Sequence, residues 1–176
     1  MRTNIHQIRK TPLRIIALSG HAAALPSLNH LLKDNHLAAL ICPSSASEPG
    51  VTSLENWAAD RGLPCWQVEP GAIENDLAEL IRETTPDLLI VYGFPYHLPL
   101  HLLQQVKHGA WNVNITIRPS DQGSIIIHQL AKGIAGDQVL HQCHVSLLPP
   151  GEAGSGIEQL SRLSMALLQS SIRDMN

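Results

Sequence analysis

The sequence predicts one α/β domain built on a mostly parallel sheet, with helices on both faces. Three observations carry this. Short apolar runs alternate with segments of helical spacing along the chain. The run "DLLIVYG", 87 to 93, is apolar at nearly every position, as expected of a strand buried on both sides. At 176 residues and 19.2 kDa, the length suits a single domain with a sizeable core.

The elements follow in order. "LRIIALSG" (13 to 20) is a first strand ending in a tight turn at Gly20, and "LPSLNHLLKDNH" (25 to 36) is an amphipathic helix. "LAALICP" reads as a second buried strand, and "SSASEPGVTS" as a loop. "SLENWAADRG" is a helix capped by Ser53 and stopped by Gly62, and "LPCWQV" is a third strand. "AIENDLAELIRETTP" is a helix, "DLLIVYG" the central strand, "LPLHLLQQVKHG" a helix and "AWNVNI" a strand. Beyond Gly123 the expectation is a helix over "SIIIHQLAKG", a strand over "DQVLHQCHVSL" and a long closing helix over "GIEQLSRLSMALLQSSIRD". Strands linked by helices of this length form β-α-β units, which give a parallel sheet.

Composition narrows the function classes. A formal net charge of -3 offers no basic footprint for nucleic acid, and one Phe, three Trp and two Tyr make a base-stacking platform improbable. No run approaches the roughly 20 apolar residues of a membrane span. Residues 1 to 12, with Arg2, Arg9 and Lys10 but no apolar h-region, read as a mobile arm, so the domain proper is 13 to 176. Cys42, Cys65 and Cys143 are odd in number and widely spaced. They fit small buried residues better than a disulfide framework, and a reducing, cytoplasmic compartment. The histidine-rich "HQCH" suggests no metal, because on a strand His141 and Cys143 share one face while His144 points the other way. His97 and His101 are separated by Leu98-Pro99, which puts His97 in the loop before the helix.

Four segments carry a family resemblance. "LRIIALSGHAAALPSLNHLL", "WAADRGLPCWQVE", "LAELIRETTPDLLIVYGFPYHLP" and "GAWNVNIT" occur in the order and spacing of the N-terminal domain of the 10-formyltetrahydrofolate-dependent formyltransferases. The chain most resembles the methionyl-tRNA formyltransferase branch, over about residues 13 to 173. The resemblance implies a Rossmann-like sheet of the formyltransferase type. It implies that the turn at Gly20 faces the acceptor. It further implies that the loop "VYGFPYHLP", with Val91, Tyr92, Gly93, Phe94 and Leu98, carries the folate pterin largely on main-chain groups. Asn114 matches the asparagine of the family's Asn-x-His motif.

The match then breaks. Formyl transfer to an amine needs donors for the oxyanion of a tetrahedral intermediate and a group to move a proton off the amine. The resemblance assigns these tasks to the asparagine, the histidine and a distant aspartate. The histidine position holds Thr116, whose hydroxyl neither becomes a cation nor exchanges protons near neutral pH. The loop after the motif is shortened to "IRPSDQG". The aspartate, from an Asp-x-Gly turn, falls either on Glu152 of "GEAGSGI" or near Ala135. The second alignment is preferred because it accounts for the closing helix, although it leaves one strand missing. His128 and Asp121 are further candidates for rescuing the proton transfer, against the plain readings of a solvent-facing helical histidine and a turn residue. Asn112 and Asn114 share a strand face, so a structural amide pair competes with a catalytic role. The expectation is a domain that has lost formyl transfer and serves as a binding or assembly module. It leaves a small-molecule amine, 10-formyltetrahydrofolate or a protein partner as what it holds; an active formyltransferase acting on a small amine is the alternative.

Overall fold

The computed structural model describes residues 12–34, 36–44, 50–119, 121–130, 138–149 and 154–175. A seven-stranded sheet runs in the order β3-β2-β1-β4-β5-β6-β7. The strands are β1 (Ile15–Ser19), β2 (Leu37–Pro43), β3 (Cys65–Val68), β4 (Leu88–Tyr92), β5 (Ala110–Arg118), β6 (Gln122–Leu130) and β7 (Gln138–Ser146). The first five pair in parallel, while β6 is antiparallel to both neighbours. Strand order reverses at β1 and β4, so a crevice opens beyond their carboxyl ends.

Alternation along each strand splits the core in two. Ile15, Ala17, Leu40, Leu88, Ile90, Trp111 and Val113 face α1 (Leu25–Lys33), α2 (Val51–Ala59) and α5 (Gly156–Met175). Ile16, Leu18, Ile41, Leu89, Val91 and Ala110 face α3 (Ile73–Thr84) and the four-residue α4 (Leu100–Leu103). On this second side the apolar layer stops at Ala110 and its cross-strand partner Leu130. From Asn112 onward the same face of β5 turns polar, with Asn114 and Thr116 exposed.

Four expectations are corrected. Residues 124 to 130 form strand β6, not a helix. Ile125, Ile126 and Ile127 are β-branched and stiff in the way that suits a pleated ladder. Ile125 and Ile127 are fully buried on the α5 side, a period of two that decides the strand. The shortened loop is a hairpin: only residues 119 to 121 join Arg118 to Gln122, and Asp121 takes a left-handed φ of 53°. Ser53 does not cap α2, which begins two residues earlier after Gly50. Gly62, at φ 62°, follows its end as a stop signal should. The helix expected over 98 to 109 is cut to Leu100–Leu103, followed by turns such as that closed by Gln105 N–H on the Leu102 carbonyl. Residues 1 to 11, Ala135 and Glu152 lie outside the described residues.

Candidate functional site: the crevice beyond strands β1, β4 and β5

Two glycines shape the floor of the crevice. The Gly20 N–H donates to the Gly93 carbonyl at 3.2 Å. A Cβ on Gly20 would lie 3.1 Å from that oxygen, 3.1 Å from Pro43 Cγ and 3.3 Å from Pro95 Cδ. Gly93 itself has φ 59°, a left-handed conformation that favours glycine. Ser19, fully buried, ties the two strand ends together by donating to the Tyr92 carbonyl at 2.7 Å.

Above this floor lies a cavity of about 190 Å³ lined by His21, Ala23, Tyr92, Gly93, Val113, Asn114, Ile115 and Ile157. Its polar groups are few. His21 Nδ1 accepts from Ala23 N–H at 3.0 Å and caps the 3-10 turn Ala22–Ala24. With Nδ1 accepting that bond, Nε2 is the ring nitrogen left to donate. The Tyr92 ring is buried, and its hydroxyl lies 3.0 Å from Ser164 Oγ of α5. Ser164 Oγ donates to the Ser161 carbonyl at 2.9 Å, so the tyrosine donates to the serine. Burial pushes the Tyr92 phenol up, outweighing the opposing effect of the neighbouring Ser164 and Ser161 hydroxyls. A neutral buried tyrosine of this kind braces the site and does not titrate near neutral pH.

A larger cavity, about 330 Å³, lies on the open face at the hairpin end, lined by Arg118, Gln122, Gly123, His144, Val145 and Ser146. It shares no residue with the crevice. The crevice is the better candidate despite its size, because it sits at the switch point where parallel sheets gather loop groups.

Among family models none matches the chain. Curated relatives do: the methionyl-tRNA formyltransferase of Listeria innocua is 28% identical over 133 residues, covering 66% of this chain and 42% of that protein. That of Halalkalibacterium halodurans is 24% identical over 181 residues, covering 91% and 57%. The matches thus span roughly half the length of those relatives. Among solved structures, the phosphoribosylglycinamide formyltransferase of Streptococcus pneumoniae superimposes with a TM-score of 0.70, at 14% identity, over 93% of this chain and 98% of that one. A formyltetrahydrofolate deformylase from Pseudomonas syringae gives 0.63 at 15% identity, over 93% and 61%. The chain shares the fold of these solved structures and is similar in sequence to the methionyl-tRNA formyltransferases over about half their length.

Within this domain the residues singled out by sequence are only partly gathered. Gly20, Tyr92, Gly93 and Asn114 meet at the crevice. Val91 and Leu98 point into the α3 and α4 core, and Phe94 stacks edge-on against Tyr96 at 5.3 Å. The Asn114 Oδ1 accepts from Asn112 Nδ2 at 3.5 Å, the amide pair that the shared strand face suggested. Thr116 is exposed on the open sheet face opposite Ser124 and does not line the crevice. His128 stands on that same face, directly across from Asn112, on a strand and not on the expected helix. It is therefore diagonal to Asn114, at a Cα separation of about 7–8 Å by antiparallel geometry. Asp121 is held in the hairpin, its carbonyl accepting from Leu147 N–H at 2.7 Å. His101 reaches Glu74 Oε1 at 3.4 Å, away from the crevice. Among the described residues no group of three His, Cys, Asp or Glu side chains is placed to hold a metal ion.

His21 is the crevice residue that sequence reading passed over. Its signal was present: a histidine directly after the glycine that closes the first strand at a parallel-sheet switch point.

Proposed function

We propose that this domain has given up the family's formyl transfer and works as a binding or assembly module. One observation carries the reading: the residue at the position of the family's proton-handling histidine is Thr116, laddered into the β5–β6 hairpin opposite Ser124. A hydroxyl there supplies neither a proton acceptor nor a cation near neutral pH. Loss of a positioned acid-base group forfeits about 10²–10⁴ in rate, and loss of an oxyanion donor about 10²–10³. Asn114, the remaining member of the motif, directs its amide oxygen to Asn112.

A folate contact, if kept, would rest on the main chain of residues 91 to 98, since Val91, Tyr92 and Leu98 bury their side chains. The crevice, at about 190 Å³, is smaller than the roughly 300–1,000 Å³ of pockets that enclose a drug-sized ligand. That size favours a small amine or one fragment of a folate over the whole cofactor.

The test is binding and turnover with 10-formyltetrahydrofolate. The expected result is no formyl transfer to any of a panel of small amines, with weak heat or none on titration of the folate. Turnover above the uncatalysed rate would overturn the proposal and point to His128 or His21 as the proton-handling group. A heat of tight folate binding without turnover would keep the inactive reading and assign the module its ligand.

A further inference from the structure

Cys42 and Cys65, remote from each other in sequence, are brought together on neighbouring strands. The β2–β3 ladder pairs Leu40 with Cys65 and Cys42 with Gln67, so the two cysteines stand on one face, one step apart along the diagonal. Both pack into the core layer beneath α2, and both are free thiols. Their sulfurs lie 3.9 Å apart. Cys42 is fully buried, whereas Cys65 opens β3 and is half-buried, so an oxidant in solvent meets Cys65 first.

We propose that Cys42 and Cys65 form a dithiol that hydrogen peroxide converts to an intramolecular disulfide, with Cys65 as the attacking thiol and Cys42 as the resolving one. The environment divides the roles in this sense. The sulfur–sulfur contact with Cys42, against burial and the nearby Glu55 carboxylate, holds the Cys65 thiol below its usual range. The same contact, with burial and the Cys65 and Glu55 charges, pushes the Cys42 thiol far up. In the first step the Cys65 thiolate attacks one peroxide oxygen; the S–O bond forms, the O–O bond breaks, and the departing hydroxide takes up a proton to become water. In the second, the Cys42 sulfur attacks Cys65; the S–S bond forms, the S–O bond breaks, and the hydroxide leaves with the Cys42 proton as a second water. Two thiols and one peroxide thus yield one disulfide and two waters. The sulfurs must close from 3.9 Å to about 2.05 Å, and because diagonal neighbours on paired strands have Cα atoms about 7–8 Å apart, the edge strand β3 must draw toward β2 as the bond forms.

The consequence is local. The bond would staple the edge strand β3 to β2 and close the loop that contains α2. It would also fix Pro43, the neighbour of Cys42, whose ring packs on Gly20 at the crevice floor. Redox state would therefore bear on the same crevice, although this inference stands apart from the question of formyl transfer.

The experiment is peroxide treatment of the folded full chain followed by peptide mass mapping. The expected product links the Cys42 and Cys65 peptides, lacks the mass of two hydrogen atoms and reverts with dithiothreitol. Cys143, on β7 at the opposite edge of the sheet, serves as the internal control and stays outside the linkage. C42S should leave Cys65 as a sulfenic acid trapped by dimedone, and C65S should abolish the reaction at Cys42. Peroxide that leaves both thiols free, links Cys65 to Cys143 or to a second molecule, or produces the Cys42–Cys65 bond only in denaturant would overturn the proposal. Because wild-type protein carries the primary readout, a variant that fails to fold does not decide the result.

Discussion

Gly20 and Gly93 meet at a distance that leaves no room for a methyl group, and this contact sets how closely β1 and β4 approach at the crevice. G20A would press a Cβ against the Gly93 carbonyl and two proline rings. The expected cost is about 1–3 kcal/mol by overpacking, measured by denaturant unfolding. G93A would force an alanine into a left-handed conformation and against His21 Cβ at 3.1 Å, at about 1–2 kcal/mol for the backbone alone. Tyr92 gives a pH-dependent prediction. Its folded phenol is raised above the ordinary value of 10.0, so the neutral form is favoured in the fold. Stability from this group is full below about pH 10 and declines as pH rises from the unfolded value through the folded one. Y92F should remove that alkaline decline and, with the Ser164 hydroxyl still donating to Ser161, cost about 1 kcal/mol at neutral pH. The unfolding midpoint followed from pH 8 to 11 in both proteins checks the sign.

At the scale of elements, the β5–β6 hairpin and helix α5 are mutually dependent. Gly123 exists because Leu160 lies beneath it: a Cβ there would meet Leu160 Cδ2 at 2.6 Å. L160A would empty a fully buried position between the hairpin and the helix, at about 2–5 kcal/mol. The start of α5 is held by a capping box, with Ser155 N–H donating to Glu158 Oε2 at 2.6 Å and Glu158 N–H to Ser155 Oγ at 3.3 Å. S155A should cost about 1 kcal/mol. Ser155, through its backbone N–H and its hydroxyl, holds the Glu158 carboxyl below its ordinary value of 4.5. The cap is therefore complete above that pH and is lost as pH falls through the depressed value, a loss that E158Q should remove from the acid unfolding curve.

For the whole molecule, the proposed loss of formyl transfer is tested at Thr116. The switch-point crevice, its glycines and Asn114 on β5 are in place, and Thr116, two residues further along the same strand, stands outside the crevice. T116H should therefore fold with wild-type stability, within about 0.5 kcal/mol, because the position is exposed. It should gain no formyl transfer from 10-formyltetrahydrofolate, since a ring there starts from the open sheet face. A T116H protein that transferred formyl groups would mean that the histidine was the one missing part.

The sequence by itself determined the first five strands, the last strand β7, the α1, α2 and α3 helices and the long closing helix. In those segments burial on one or both faces writes its period directly into the residues, as in "DLLIVYG" and "LPSLNHLL". It also determined that Asn114 and Thr116 lie on one polar strand face, because alternation is local. Only the tertiary structure decided the rest. "SIIIHQL" is compatible with either a buried helix or a strand, and pairing with β5 and β7 on both sides settled it. His128 changed from a helical residue to the partner of Asn112 by that choice alone. His21 entered the crevice, and Cys42 met Cys65, through contacts between segments distant in the chain, for which a local pattern holds no record. Periodicity reports how a segment meets solvent and core; which segments meet each other is fixed by strand order and register.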